Sequence, residues 1–252
     1  MTTPPPEGYR FRAGLPSDLD AVAGLYDACF ARDALVDMLF PARRAAPRGD
    51  FRTHLYRHFE RRWWTPGWVL GLLVVDHGGG GGGHVVGFAW WRRPDGDLGV
   101  WERWCTPCAW LAPLMRLYVS LKNRIRPTAV QPRPASALDR VMAALEPRLP
   151  RLRPDASAAH PAAAGAAAGG HDAPSCGAWW YLSALAVLPA LQGKGLGAGL
   201  LRHGLRDVDG VCYLVGVAGV ERFYRRHGFV EVARANVGEL AAWDGGAVMV
   251  RG

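Results

Sequence analysis

Lysine is nearly missing from this chain. Of the 30 basic residues only Lys122 and Lys194 are lysines; the rest are arginines. The arginines are scattered, with pairs at Arg43-Arg44, Arg61-Arg62 and Arg92-Arg93, and no tract of five to eight consecutive basic residues occurs. The net charge of +8 therefore reads as a solvated basic surface rather than a nucleic-acid face, so no nucleic-acid partner is expected. Such a surface still draws an anionic ligand. Long apolar runs are absent as well. None approaches the roughly 18 residues that a membrane-spanning helix needs, so no membrane partner is expected. The opening MTTPPPEGYRFR has no apolar h-region, and a cytoplasmic protein is expected. Cysteines are few and odd in number: Cys29, Cys105, Cys108, Cys176 and Cys212. That pattern fits reduced thiols. Cys105 and Cys108 have CxxC spacing without a second pair, and a structural zinc site takes four ligands. His54 and His58, four apart, have no third ligand nearby. No metal is expected.

Hydrophobic residues make up 50% of the 252 positions. This is the composition of a globular chain long enough to bury a substantial core. One domain over 1–252 is expected. Tyr9 to Ala13 alternates and reads as a strand. Pro16-Ser17-Asp18 offers the start of a helix with Leu19, Val22, Ala23, Leu25, Tyr26 and Phe30 on one side. A loop follows over 41–49, then a second amphipathic helix from Phe51 to Trp64. Trp68 to Asp76 and His84 to Trp91 read as strands. The run Gly78 to Gly83 between them has no helix start or Lys-Ser/Thr after it, and reads as a lengthened hairpin loop. Residues 94–178 form a long interval that contains two helices, Ala109 to Asn123 and Ala135 to Leu149. Their apolar stripes, Trp110, Leu114, Leu117, Tyr118 and Leu121 on the first, fit either core packing or a wall over a cleft. Residues 154–175, rich in Ala, Gly and His, read as a flexible loop.

The most informative stretch is Tyr181 to Leu201, YLSALAVLPALQGKGLGAGLL. An apolar, partly β-branched strand breaks at Pro189, passes through Gln192-Gly193-Lys194-Gly195-Leu196-Gly197, and becomes a helix. Strand, glycine loop and helix together make an anion cradle. The glycines let the backbone turn tightly, and the loop and helix N–H groups face the ligand. A Walker A loop needs Ser or Thr after its lysine, and here Gly195 follows Lys194. A dinucleotide fingerprint needs GxGxxG spacing with an acidic residue about 20 positions later. Gly193, Gly195 and Gly197 instead alternate at every second position.

What the chain does carry is Q-x-x-G-x-G over Gln192–Gly197 and, one strand further on, Tyr224-Arg225-Arg226-His227-Gly228-Phe229. This pair in this order resembles the GCN5-related N-acetyltransferase (GNAT) superfamily, sharply over 179–234 and more faintly over 9–30 and 68–93. The run from Trp180 through Gly197 looks most like the puromycin N-acetyltransferase-like small-molecule branch, which also has a helical insertion before this strand. The resemblance implies an α/β GNAT fold. Its central sheet is mixed, mostly antiparallel and splayed at strands 4 and 5, with helices on its flanks and the insertion between strands 3 and 4.

The resemblance also implies acetyl-CoA as donor and a small-molecule amine as acceptor, in a monomer or homodimer. Backbone groups of Leu185, Ala186 and Val187 would pair with the pantetheine. The N–H groups of Gly193, Lys194, Gly195, Leu196, Gly197 and Ala198 would hold the pyrophosphate, with Gln192 and Lys194 near it. Tyr224 would donate a proton to the departing thiolate; its other reading is a core aromatic beside Phe223 and Phe229. Glu102, Asp97, Ser183 and Tyr181 are candidates to receive the amine's proton. Around Val215, Gly216 and Val217, where relatives often carry polar residues, this chain is apolar. The tryptophans at 63, 64, 90, 91, 101, 104, 179 and 180 suit either an aromatic or cationic amine site or core packing. Two other functions fit the same motifs: acetylation of protein N-termini or lysines, and a non-catalytic acyl-CoA-binding module.

Overall fold

The apolar runs assemble into one seven-stranded sheet in the computed structural model, which describes residues 6–30, 32–47, 49–75, 83–99, 107–130, 137–152 and 179–252. The strands are β1 (Tyr9–Ala13), β2 (Trp68–Val75), β3 (His84–Arg92), β4 (Trp180–Val187), β5 (Cys212–Gly216), β6 (Val230–Arg234) and β7 (Ala247–Arg251). Their order across the sheet is β1-β2-β3-β4-β5-β7-β6. Every neighbouring pair is antiparallel except β4 with β5, which is parallel. The helices are α1 (Leu19–Phe30), α2 (Ala34–Leu39), α3 (Asp50–Trp63), α4 (Pro107–Ile125), α5 (Ala137–Leu145), α6 (Leu149–Leu152), α7 (Leu196–Gly204) and α8 (Glu221–Arg225). The insertion that separates β3 from β4 contributes α4, α5 and α6. The glycine run 78–82, Glu102, Cys105 and the loop over 154–175 lie outside the described residues.

Helices cover both faces of the sheet, which is why β2 and β3 read as nearly continuous apolar runs rather than clean alternations. On one face α1 and α3 press Leu19, Val22 and Phe59 onto Leu72, Phe88 and Trp90. On the other, α7 sets Leu196, Leu200 and Leu201 against Leu73, Val86 and Trp91. A third core joins β5 and β7 to the insertion through Met142, Leu149, Tyr213, Trp243 and Val250. A short 3-10 turn at Pro16–Asp18 leads into α1. There Asp18 accepts the Leu15 N–H at 2.8 Å and both terminal nitrogens of Arg12 at 2.7 Å. The Arg12 guanidinium holds this carboxyl below its usual range.

Two features depart from the expectations above. The short helix α2 forms just before the stretch read as loop, started by Asp33, whose side chain accepts the Leu35 N–H at 2.7 Å. The apolar stripe of α4 faces outward: Trp110 is 75% exposed, Leu114 63% and Leu117 66%. What α4 buries is Ala112 and Val119. It rests on α3 largely through polar contacts, with Arg57 reaching the Arg126 carbonyl and Lys122 lying 3.7 Å from Glu60. The tryptophans on and just before these strands resolve toward packing, since Trp90 and Trp91 in β3, Trp180 in β4 and Trp179 before it are all buried.

Candidate active site

The site begins where β4 and β5 part. They pair at Trp180↔Cys212, Tyr181↔Tyr213 and Leu182↔Leu214 and no further, although β4 continues to Val187. Pairing with β3 persists to the end of β4, at Gly87↔Val187. It skips one residue between Trp91↔Leu182 and Trp90↔Ala184, so Ser183 is an extra residue in β4. Such a bulge bends its strand and raises the local twist. It also changes which side chains share a face. Leu182 packs with the α7 core, while Ala184 and Ala186 pack with the α1/α3 core. From Ser183 to Val187 the edge of β4 toward β5 is therefore open, and Leu185, Ala186 and Val187 lie on it. The Val187 carbonyl is already engaged, accepting from Gln192 Nε2 at 2.9 Å and from Cys29 Sγ at 3.3 Å.

Gln192 thus ties the loop to the end of β4. Gly193 and Gly195 have φ of +78° and +77°, a region that favours glycine. Gly195 is the N-cap of α7, and its carbonyl accepts the Gly199 N–H at 3.0 Å. None of the N–H groups of Gly193, Lys194, Gly195, Leu196, Gly197 and Ala198 has an acceptor among the described residues. The space above Gly193 and Gly195 is open, with no atom within 4 Å of where a Cβ would stand. Leu196, 2% exposed, pins the loop into the core beneath. Lys194 is exposed at its rim.

Tyr224 sits on α8, between Phe223 and Phe229 at ring-centroid distances of 4.9 and 5.6 Å, in the same core as Val187 and Leu196. Gly228, at φ +82°, ends the turn after α8. Both readings of Tyr224 have a physical basis here. Its ring packs as a core aromatic, and its hydroxyl makes no hydrogen bond among the described residues. Burial raises its pKa, so the phenol stays protonated and available as a donor.

On the opposite face of β4, the sheet meets α1 and α3. Tyr181 stacks on Tyr213 at 4.8 Å. Burial pushes the Tyr26 phenol up to about 12, against the pull of the Arg62 charge. Arg62 also acts on Tyr181, and burial brings its own pKa down to about 10. Asp33, half-buried, is raised first by burial and further by Asp244 and Asp37. Tyr26, Asp33 and Arg62 were missed in the sequence. Tyr26 reads as one more member of an apolar stripe, and Arg62 as half of a surface arginine pair. Of the proton-acceptor candidates, Tyr181 and Ser183 flank the opening. Asp97 instead lines a different cavity, of about 480 Å³, walled by Arg12, Leu70, Trp91 and Trp180 and by His203 near the C-terminus of α7. No residue of the glycine loop lines that cavity.

A family model described as an acetyltransferase (GNAT) domain matches residues 159–231. No curated protein sequence matches the chain. Among solved structures, the chain is similar to a histone acetyltransferase HPA2 and related acetyltransferase from Corynebacterium glutamicum. The identity is 18%, the match covers 97% of this chain and 96% of that one, and the TM-score is 0.50. An acetyltransferase from Thermus thermophilus matches at 13% identity over 96% of each chain, with a TM-score of 0.45. A GNAT family acetyltransferase from Brucella melitensis, solved with acetyl-CoA, matches at 16% identity over 88% of this chain and 82% of that one, with a TM-score of 0.35. The sheet with its parallel β4–β5 pair, splayed beyond Leu182, and its helices on both faces is the GNAT fold.

Proposed function

We propose that this chain transfers the acetyl group of acetyl-CoA to a primary amine of a small molecule, by direct attack within a ternary complex. The observation that carries the reading is the juxtaposition of six unbonded N–H groups at the start of α7 with the open edge of β4. A diphosphate ester fits the first, and an amide-bearing arm laid along the strand as an added edge fits the second. Acetyl-CoA supplies an acyl thioester, whose carbonyl carbon is the electrophile. The backbone of Leu185 and Ala186 orients the arm and polarises that carbonyl. The N–H groups from Gly193 to Ala198 hold the pyrophosphate, and Lys194 adds charge at the rim. Tyr224 keeps a proton on its Oη for the leaving sulfur. The motif run over 180–197 favours a small acceptor of the kind used by the puromycin N-acetyltransferase-like branch. The test is a thiol-release assay with acetyl-CoA and a panel of amines. Amine-dependent release is expected; acetyl-CoA binding with no amine-dependent release would defeat the transferase reading.

A further inference from the structure

Arg62 is the last arginine of α3, and its surroundings are unusual for a cation. Its guanidinium carbon lies 4.1 Å from the ring centroid of Trp68, 5.6 Å from Trp90 and 5.9 Å from Phe59. The side chain is half-buried, and its guanidinium makes no hydrogen bond or ion pair among the described residues. The acidic group that acts on it electrostatically is Asp139 on α5. Stacking on indoles satisfies the faces of a guanidinium and leaves its in-plane N–H donors unused. Those donors form a rigid fork that matches a carboxylate or a phosphate in two parallel bonds. The half-buried guanidinium keeps those donors within reach of solvent, where a ligand anion can meet them. The location is specific. Trp90, whose ring lies against the guanidinium, pairs with Ala184 next to the Ser183 bulge where β4 leaves β5. Trp90, one of the tryptophans that the sequence offered for a cationic acceptor, is thus already in contact with the protein's own cation.

We propose that Arg62 binds an anionic group of the acceptor, so that the acceptor is an amine that also carries a carboxylate or a phosphate. The inference rests on the acetyl-transfer reading. In it, the amine lies toward the bulge and the thioester, and the anion lies toward α3. The Trp68 and Trp90 rings, set 85° to one another, hold the guanidinium in place, which makes it a selective element rather than a free surface charge.

Matched acceptor pairs test this: amino acids against their decarboxylated amines, and phosphoethanolamine against ethanolamine, each with acetyl-CoA in the thiol-release assay. The anionic member of at least one pair is expected to show a kcat/KM at least about tenfold higher, the scale of a charge-assisted hydrogen bond. The two arms distinguish a carboxylate from a phosphate. Arg62→Gln is expected to erase that preference through KM, with acetyl-CoA affinity by calorimetry unchanged. If Arg62→Gln fails to fold, Arg62→Lys decides: it keeps the charge without the fork and is expected to raise KM for the anionic member only. Equal efficiency within every pair, or a preference that survives Arg62→Gln, overturns the proposal while leaving acetyl transfer intact. Acetyl-CoA binding with no turnover of either member defeats the transferase reading and this inference with it.

Discussion

At Gly195 the backbone has φ of +77°, and nothing lies within 4 Å of the position a Cβ would take. A side chain there costs about 1–2 kcal/mol of backbone strain but meets no protein atom; what it fills is the space assigned to the pyrophosphate. Gly195→Glu is expected to fold with a modestly lower Tm and to lose acetyl-CoA binding. Tyr224 answers to a different readout. Tyr224→Phe keeps the ring contacts with Phe223 and Phe229 and removes only the proton, so kcat is expected to fall about 10²-fold or more at unchanged acetyl-CoA affinity. An unchanged kcat would return Tyr224 to a packing role. Asp33 links stability to pH. Burial raises its folded pKa above the unfolded value, so its stabilising contribution is present at low pH and lost as pH rises through the raised pKa. Asp33→Asn keeps an N-cap for α2. It is expected to raise Tm at neutral pH in thermal unfolding; an unchanged or lower Tm would contradict the cost of that buried charge. Gly195 and Tyr224 were legible in the sequence, because each sits in a short motif of local spacing. Asp33 and Arg62 were not, because their environments are made by residues far along the chain.

The helix α4 shows what periodicity does and does not convey. The spacing of Trp110, Leu114, Leu117, Tyr118 and Leu121 correctly signals a helix, yet these residues form its solvent side. Periodicity gives the phase of a stripe; which side finds a partner is decided by the neighbouring element, here the polar side of α3. Leu117→Gln is accordingly expected to change stability by less than about 0.5 kcal/mol. Val119→Ala is expected to cost about 1.5 kcal/mol or more, from the two buried methyl groups' worth of surface lost. Urea unfolding of the two variants checks the contrast, and a large loss in Leu117→Gln would place that face in a core. The strands were read to within a residue or so because long apolar, β-branched runs bounded by Gly and Pro leave little choice. The bulge at Ser183 left no such trace, since a one-residue insertion in an apolar run alters register without altering pattern.

Across the whole molecule, the order β1-β2-β3-β4-β5-β7-β6 places the single parallel pair beside the glycine loop, and the bulge then opens that pair. The two faces of β4 have different surroundings. The α7 side carries the glycine loop and Tyr224, and the α1/α3 side carries Tyr26 and Arg62. The fold and the glycine loop were legible, because a strand, a glycine loop and a helix are contiguous in sequence. The surroundings of Arg62 were not, because they are assembled from α3, β2 and β3. Among the described residues no helix is long and apolar enough to cross a membrane. The central claim is that the start of α7 and the open edge of β4 hold acetyl-CoA, and a calorimetric titration of acetyl-CoA into the intact chain and into Gly195→Glu tests it most directly. One-to-one binding to the unsubstituted chain and none to the variant is the predicted result. No binding to the unsubstituted chain, or equal binding to both, would contradict it.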